Sequence, residues 1–211
     1  MNVEQAYNLW ASQYDSNQNK TRDLEAIALR ETLSHLAFDN CLEIGCGTGK
    51  NTEWLVTKST HVTAVDLSEE MLSIAKEKLV SRDVTFICAD INEAWHFPEK
   101  RYDLVTFSLV LEHIENLDGI FGNVSKVVSK NGHVYIGELH PFKQYAGTKA
   151  RFDTEEGRQE VLCFNHHISD FVNTAKKYGL EIEQLKEYFD NEAREGFPRI
   201  LTLLLQNGSG R

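Results

Sequence analysis

The residues best suited to bind a ligand are a glycine-rich stretch and two aspartates that follow it. Residues 43–49 read Glu-Ile-Gly-Cys-Gly-Thr-Gly directly after a short apolar run. Glycines there allow a sharp turn and the close approach of a ligand, because no Cβ stands in the way. Asp66 and Asp90 end the next two apolar runs. Carboxylates at such points can accept hydrogen bonds from the ribose hydroxyls and the adenine amino group of a nucleoside.

The spacing of the glycines distinguishes between nucleotide ligands. A dinucleotide-binding turn has the pattern G-x-G-x-x-G, whose third glycine allows close helix packing beside a pyrophosphate. Counted from Gly45, that third position is Lys50, and the pattern is instead G-x-G-x-G. The turn is also surrounded by acidic residues, whereas a pyrophosphate would need hydrogen-bond donors or positive charge. The spacing therefore favours a nucleoside with a cationic or zwitterionic tail over a nicotinamide dinucleotide.

Alternating strand-like and helix-like segments predict the scaffold that must position these residues. Strand-like runs occur at 41–45, 61–66, 84–90, 102–110 and 133–139, with helix-like segments such as 68–79 and 120–128 between most of them. This alternation is typical of an α/β fold: a Rossmann-like, seven-stranded, mostly parallel sheet with helices on both faces. The runs at 181–189 and 199–206 are joined by a short loop and predict an antiparallel pair at the C-terminal edge. Ligands bind beyond the carboxyl ends of such strands.

The chain is interpreted as a single domain, residues 1–211, with four parts. Residues 1–38 are expected to form an N-terminal helical cap and residues 39–139 the ligand-binding core. Residues 140–168 show no clear period and are expected to be a lid over an acceptor, because long loops in compact domains are often functional. Residues 169–211 complete the domain with a helix and a strand pair.

The lid segment contains several cations in an otherwise acidic chain: Lys143, Lys149, Arg151 and Arg158. Arginine can bind a carboxylate or phosphate through two hydrogen bonds, so one interpretation is recognition of an anionic acceptor. The competing interpretation is a solvated loop of mixed charge, because Asp153, Glu155 and Glu156 are interleaved.

Composition and charge narrow the class of partner. The chain has 211 residues with 22 basic and 32 acidic side chains, a net charge of -10. Such a surface repels phosphate backbones, so a nucleic-acid partner is not expected. No apolar run approaches the ~20 residues that span a bilayer, and the first ten residues do not resemble a secretory signal. We therefore expect a cytoplasmic protein with no membrane partner.

The four cysteines, Cys41, Cys46, Cys88 and Cys163, show no C-x-x-C spacing. Cys41 and Cys88 stand in strand-like runs. This pattern predicts buried, reduced thiols rather than disulfides or a zinc site.

Five segments together resemble the class I S-adenosylmethionine-dependent methyltransferases that act on small molecules, of the methyltransferase type 11 kind. LEIGCGTGKNTEWL resembles the family's first motif, and VTAVDLSEEML resembles its ribose-binding second strand. FICADINE resembles the adenine-binding motif, YDLVTFSLVLEHIENL the fourth strand with the helix after it, and VSKVVSKNGHVYIGE the fifth-strand motif. The opening YNLWASQYD resembles the family's cap, in which a Tyr-Asp pair lies near the cofactor.

This resemblance implies S-adenosyl-L-methionine as the cofactor and S-adenosyl-L-homocysteine as its product. Carried over by position, the implied cofactor-binding residues fall into five groups: Gly45, Cys46 and Gly47 with Glu43 for the methionine part; Asp66 for the ribose, with Leu67 and Met71 beside the adenosine; Asp90 and Ile91 for the adenine; Ser108 and Leu109 under the methionine tail; and Tyr14 closing the site from above.

Catalysis in such an enzyme depends mainly on alignment of the acceptor, and a base is needed only if the acceptor must lose a proton. Histidine suits that role. His140, with Glu138 as a carboxylate that orients it, is the favoured candidate, and His113 is either an alternative base or a residue packed on the cofactor. His166 and His167 are further candidates. The spacing of His140, His166 and His167 fits no strong metal-ligand pattern, so no metal is expected.

We therefore expect methyl transfer from S-adenosylmethionine to an oxygen or nitrogen of a small molecule, by a monomer or homodimer. The acceptor and the methylated atom stay open. Two alternatives also stay open: a non-catalytic S-adenosylmethionine-binding regulator, and an NAD-dependent oxidoreductase, which Lys50 and Asp90 disfavour. Glu112 and Glu115 lie close together, but their surroundings do not match the paired glutamates of protein arginine methylases.

Overall fold

A computed structural model describes residues 1–80, 83–154 and 157–208. Glu155 and Glu156 of the expected lid, and residues 209–211 of the expected C-terminal part, lie outside the described residues. The helices are α1 (Val3–Tyr14), α2 (Lys20–Leu33), α3 (Thr52–Leu55), α4 (Glu69–Lys78), α5 (Leu117–Val127), α6 (Pro141–Tyr145) and α7 (Ile168–Lys177), with a one-turn 3₁₀ helix at Leu111–His113. The strands are β1 (Asn40–Ile44), β2 (His61–Asp66), β3 (Val84–Cys88), β4 (Tyr102–Ser108), β5 (Val128–Leu139), β6 (Arg151–Thr154), β7 (Gly157–Glu160), β8 (Leu180–Tyr188) and β9 (Ile200–Asn207).

Seven strands form the main sheet in the order β3-β2-β1-β4-β5-β9-β8. The first five strands in this order are parallel to one another, and β9 runs antiparallel to both β5 and β8. The predicted mostly parallel sheet with an antiparallel C-terminal pair is confirmed. The chain winds outwards from β1 to β3 and then returns to β4 on the other side of β1. The carboxyl ends of β1 and β4 therefore flank the crevice in which open α/β sheets bind ligands.

Successive side chains of the central strands point to opposite faces of the sheet, and both faces are buried there. In β1, Cys41 packs with Leu29 of α2 and Leu55 of α3 on one face. Leu42 and Ile44 pack with α5 and α7 on the other face. The two clusters together bury the parallel strands on both sides, which explains their nearly continuous apolar sequence. The scaffold that results is a rigid platform under the strand ends.

Some expectations about individual elements differ from the structure. The helix α2 packs on β5 and β9 as part of a sheet-covering layer, so α1 is the element that lies over the ligand edge. The segment expected to be irregular contains α6 and the hairpin β6–β7. Cys88 is exposed rather than buried, because β3 is the outermost strand of the sheet and one side of it meets solvent. All four cysteines are free thiols.

Within the described ranges, none of the helices is long and apolar enough to cross a membrane.

Candidate functional site

The glycine-rich turn between β1 and α3 has the backbone conformation that only glycine adopts easily. Gly45, Gly47 and Gly49 have φ angles of 72°, 53° and 83°, in the left-handed region where a Cβ is strained. The N–H groups of Gly45 and Cys46 donate to the carbonyl of Val65, at 2.7 and 3.0 Å. These bonds hold the turn against the end of β2, where its backbone faces the ligand edge.

The turn is closed on one side and open on the other. A Cβ added at Gly45 would lie 2.2 Å from the Val110 side chain, so this glycine lets the turn and the β4 end approach each other. A Cβ added at Gly47 would meet nothing within 4 Å. Gly47 therefore leaves an open cradle beside its backbone, which a ligand can approach closely.

Asp66 is fixed in position by the backbone around it. Its Oδ2 accepts a hydrogen bond from the N–H of Gly47 at 2.7 Å, and its Oδ1 accepts one from the N–H of Ser68 at 2.9 Å. Burial raises the pKa of Asp66, and these backbone donors offset part of the rise. Each carboxylate oxygen has more than one lone pair, so the side chain retains acceptor capacity for a ligand's hydroxyl groups.

A first cavity lies at the carboxyl ends of β1 to β4, and most of the expected cofactor residues line it. They are Tyr14, Gly45, Gly47, Asp66, Leu67, Met71, Asp90, Ile91, Ser108 and Leu109, together with His113. Asp90 also accepts hydrogen bonds from the backbone and side-chain nitrogens of Asn92, at 2.8 and 2.9 Å. It thus stabilises a tight turn as well as facing the cavity. Sequence reasoning overlooked other lining residues, notably Tyr7 and Asn92.

A smaller pocket adjoins the glycine turn and contains two buried acids, Glu43 and Glu25; Cys46 also lines it. Glu43 accepts a hydrogen bond from the Thr52 hydroxyl at 2.5 Å, and Glu25 accepts one from the Tyr135 hydroxyl at 3.1 Å. Burial raises the pKa of Glu43 to about 8 and that of Glu25 to about 7. Arg22 lies at the same pocket. Two acids and a guanidinium suit the amino and carboxylate groups of an amino acid.

Glu25 and Arg22 were not singled out from the sequence. A charged residue that falls on the buried side of an amphipathic helix was the available signal, because carboxylates are seldom buried without a reason.

Leu109 forms the floor between the cavities in a strained conformation. Its φ is 58°, which is uncommon for a residue with a Cβ. Its N–H donates to the carbonyl of Gly137 at 2.8 Å, so the neighbouring strand β5 holds the conformation in place. Strain of this kind concentrates at functional sites.

The structure does not place His140 and Glu138 in the roles expected of them. His140 is fully buried. Its Nδ1 accepts from the N–H of Phe142 at 3.1 Å, and its Nε2 lies 3.0 Å from Glu187. The lone pair that a base needs is therefore already used. Glu138 accepts hydrogen bonds from the backbone of the 3₁₀ turn, among them Val110 at 2.9 Å, so its pairing with His140 was wrong.

His113 lies at the first cavity and contacts the cap. Its Nε2 is 2.8 Å from the Tyr7 hydroxyl, and its Nδ1 is 2.7 Å from the carbonyl of Leu162. Burial lowers the pKa of His113, so the ring is neutral at pH 7. The contact joins α1 to the 3₁₀ turn over the cavity.

The other histidine candidates form separate local contacts. The His166 Nε2 lies 2.7 Å from the carbonyl of Ile114, and the His167 Nδ1 lies 2.5 Å from the Tyr145 hydroxyl. Among the residues that the structure describes, no three histidine, cysteine or acidic side chains are grouped as a metal site would require.

A second, larger cavity of about 500 Å³ lies between α1, the loop after it and the β6 strand. Tyr7, Tyr14 and Leu109 line both cavities, so the two are adjacent. The Trp10 ring of α1 stacks on Phe152 of β6 with centroids 5.2 Å apart. The helix α1 and the strand β6 therefore both contribute to the wall of this cavity.

Two cations of the expected lid segment, residues 140–168, line the second cavity. Arg151 and Lys149 both line it, and the Lys149 ammonium lies 3.3 Å from Glu160. Arg199, which the sequence did not point to, also lines it but is held by Asp190 through two hydrogen bonds. Lys143 and Arg158 are instead paired with Asp190 and Asp153.

Residues 42–136 match the family model described as a methyltransferase domain. The malonyl-[acyl-carrier protein] O-methyltransferase of Bacillus cereus is 30% identical over 166 residues, which cover 72% of this chain and 61% of that protein. The ubiquinone biosynthesis O-methyltransferase of Proteus mirabilis is 29% identical over 155 residues, covering 70% of this chain and 61% of that protein. The chain thus spans less than two thirds of the length of these curated relatives.

Among solved structures, the N-methyltransferase NodS of Bradyrhizobium japonicum in complex with S-adenosyl-L-homocysteine superposes with a TM-score of 0.74. The match covers 98% of this chain and 99% of that one at 19% sequence identity. At this identity the likeness concerns the fold alone.

Proposed function

We propose that this chain, which belongs to the class I S-adenosylmethionine-dependent methyltransferases, transfers a methyl group from S-adenosylmethionine to an oxygen or nitrogen of a small-molecule acceptor. The observation that carries the proposal is the first cavity, where the glycine turn, Asp66 and Asp90 meet at the ends of three successive strands.

The residues around the first cavity fit this cofactor. The open cradle beside Gly47 gives room for a ligand against the backbone. Asp66, oriented by two backbone donors, would accept from the ribose hydroxyls, and Asp90 from the adenine amino group. Glu43 and Glu25 would receive the amino group of the methionine part, and Arg22 its carboxylate. When bound, the cofactor supplies an electrophilic methyl group on a positively charged sulfur.

The second cavity is the proposed acceptor site. It adjoins the first cavity at Tyr7, Tyr14 and Leu109, which line both, so an acceptor held there would lie next to the cofactor site. The stacked rings of Trp10 and Phe152 form part of its wall. The chain's contribution is to align the acceptor and keep the reacting atoms dry, which accounts for much of the rate in such displacements.

Calorimetric titration with S-adenosyl-L-homocysteine tests the cofactor assignment. Asp66→Ala removes a charged acceptor from the ribose site, which should cost ~1.5–3 kcal/mol of binding free energy, roughly a 10- to 150-fold loss of affinity. Asp103→Ala is the matched control, because Asp103 lies at the opposite end of the sheet, where it accepts from the backbone of Asp39 and Asn40. Its affinity should be unchanged.

Two outcomes would contradict the proposal: binding of NADH in place of S-adenosyl-L-homocysteine, or equal affinity in the wild type and Asp66→Ala. Transfer of a labelled methyl group to a panel of small hydroxyl, carboxyl and amine compounds then tests the activity. Cofactor binding without transfer to any acceptor, together with a co-purifying protein, would favour a regulatory role instead.

The site of action proposed for the enzyme is the cytoplasm. The four free thiols, one of them exposed, support a reducing compartment. Fractionation of cells that express the chain tests this placement.

A further inference from the structure

The second cavity contains a buried acid whose polar chemistry is incomplete. Glu112 stands in the 3₁₀ turn after β4, lines this cavity and is only 6% exposed. Its Oε2 has no hydrogen-bond partner among the residues that the structure describes. Burial of a carboxylate oxygen without a donor is unfavourable. The position therefore indicates a ligand that brings the donor with it.

The Tyr7 hydroxyl supplies a second acceptor to the same cavity. The carbonyl of Leu162 can only accept, so the Nδ1 of His113 must carry the proton in the bond between them. In the neutral ring Nε2 is then the acceptor, and the Tyr7 hydroxyl donates to it. With its proton used in this way, the hydroxyl oxygen of Tyr7, which lines the same cavity, can only accept. Apart from the weakly donating Cys163 thiol beside Glu112, this corner presents acceptors to a ligand.

We propose that Glu112 and Tyr7 recognise an amine as the methyl acceptor, and that Glu112 takes the proton that the amine loses. This inference rests on the proposed function and narrows it. An ammonium group carries three N–H donors, which match the acceptors of this corner. A carboxylate acceptor brings only further acceptors and would be repelled by Glu112.

The proton and electron balance of the step is simple. The ammonium nitrogen gives one proton to the Glu112 carboxylate and keeps the electron pair of that bond. This pair forms the new bond to the transferred methyl group. The bond between that methyl group and the donor's sulfur breaks, and its electron pair stays on the sulfur. Glu112 afterwards returns the proton to solvent.

The ionisation of Glu112 suits this role. Burial raises the pKa of Glu112 to about 7, and the neighbouring Cys163 thiol offsets part of the rise. An acid with a pKa near the working pH can both accept and release a proton. Five titratable groups interact with Glu112: Tyr7 and Tyr14 of α1, His113 of the 3₁₀ turn, Glu138 of β5 and Cys163 of the segment after β7.

Binding of a small amine probe tests the proposal. Methylammonium, acetate and methanol are titrated separately into protein saturated with S-adenosyl-L-homocysteine, and binding is followed by calorimetry. Wild type should bind methylammonium at least ~10-fold more tightly than Glu112→Gln, and more tightly than it binds acetate or methanol. Glu115→Gln is the matched control: it removes the same charge from an exposed position three residues away and should behave as wild type.

The pH dependence gives a second reading that needs no variant. Methylammonium stays protonated between pH 6 and 8, whereas Glu112 loses its proton over this range. The affinity of the wild type for methylammonium should therefore rise with pH, and that of Glu112→Gln should not change with pH. If the variant does not fold, the wild-type profile alone decides, and a flat profile overturns the proposal.

Equal methylammonium affinity in the wild type and Glu112→Gln, including no measurable binding by either, would overturn the assignment. Tighter binding of acetate would point to a carboxylate acceptor, tighter binding of methanol to a hydroxyl acceptor, and either result overturns it as well. The S-adenosyl-L-homocysteine titration of each protein separates the two proposals. Failure of the wild type to bind it contradicts the proposed function, whereas retained binding without amine recognition contradicts only the role of Glu112.

Discussion

Two glycines of the same turn should respond differently to alanine, because their surroundings differ. Gly45 and Gly47 both have positive φ angles, 72° and 53°. A methyl group added at Gly45 would lie 2.2 Å from Val110 Cγ2, whereas one added at Gly47 would enter open space. We expect Gly45→Ala to affect mainly stability and Gly47→Ala mainly ligand binding.

The magnitudes follow from these distances. The left-handed conformation costs an alanine about 1 kcal/mol relative to glycine at either position. At Gly45 the Val110 side chain must also move, an overpacking cost of about 1–3 kcal/mol. Val110 cannot shift freely, because its N–H donates to the buried Glu138 at 2.9 Å. The free energy of unfolding should fall by about 3 kcal/mol in Gly45→Ala and by about 1 kcal/mol in Gly47→Ala.

Urea unfolding, followed by circular dichroism, measures the stability of both variants without ligand. Calorimetric titration with S-adenosyl-L-homocysteine at a temperature where both are folded measures binding. The methyl group at Gly47 would enter the open space that we propose the ligand uses and should weaken binding on the order of tenfold or more. Equal destabilisation of the two variants would refute the packing argument. Unchanged affinity in Gly47→Ala would refute the assignment of the cradle to the ligand.

Three further results are expected. The free energy of unfolding should fall between about pH 5 and 8, because burial raises the pKa of folded Glu138 to about 8 and the folded chain keeps a proton that the unfolded chain has lost. Glu138→Gln should make this pH profile flatter, and an unchanged slope in urea titrations would contradict the prediction. His140→Asn should retain methyl transfer at temperatures where the variant is folded, although its melting temperature should fall, since both ring nitrogens of His140 already have partners. Loss of transfer in a folded variant would make His140 the base again. Arg151→Ala should raise the acceptor KM without changing kcat, because the exposed guanidinium at the second cavity would no longer contact an anionic group on the acceptor. An unchanged KM in steady-state assays would show Arg151 to be a solvated side chain.

The sheet topology was predictable because its signals are local. Apolar runs such as His61–Asp66 and the glycine turn after β1 specify strand ends through hydrogen bonding and backbone sterics alone. The rules for parallel connections then place successive strand ends at one edge. The gathering of Gly45, Asp66 and Asp90 around one cavity follows from these rules, and the structure has it.

The structure of the expected lid segment, residues 140–168, was harder to predict because its elements are short and depend on distant partners. The hairpin β6–β7 has only four residues in each strand. Its position depends on the stacking of Phe152 on Trp10 of the cap, more than 140 residues earlier in the chain. Sequence periodicity carries no information on such a contact, so the segment looked irregular.

The fold and the ligand edge of the sheet could be predicted from local patterns of glycine, aspartate and apolar residues. Which ionisable groups border the proposed acceptor cavity depends instead on tertiary contacts. His140 stands near the ligand edge in sequence, yet Phe142 and Glu187 occupy both of its nitrogens. Glu112, for which no sequence pattern indicated a role, is buried beside the second cavity with an oxygen that lacks a hydrogen-bond partner among the described residues. Burial and hydrogen-bond partners set the chemistry of such groups, and both arise from contacts between residues far apart in the chain.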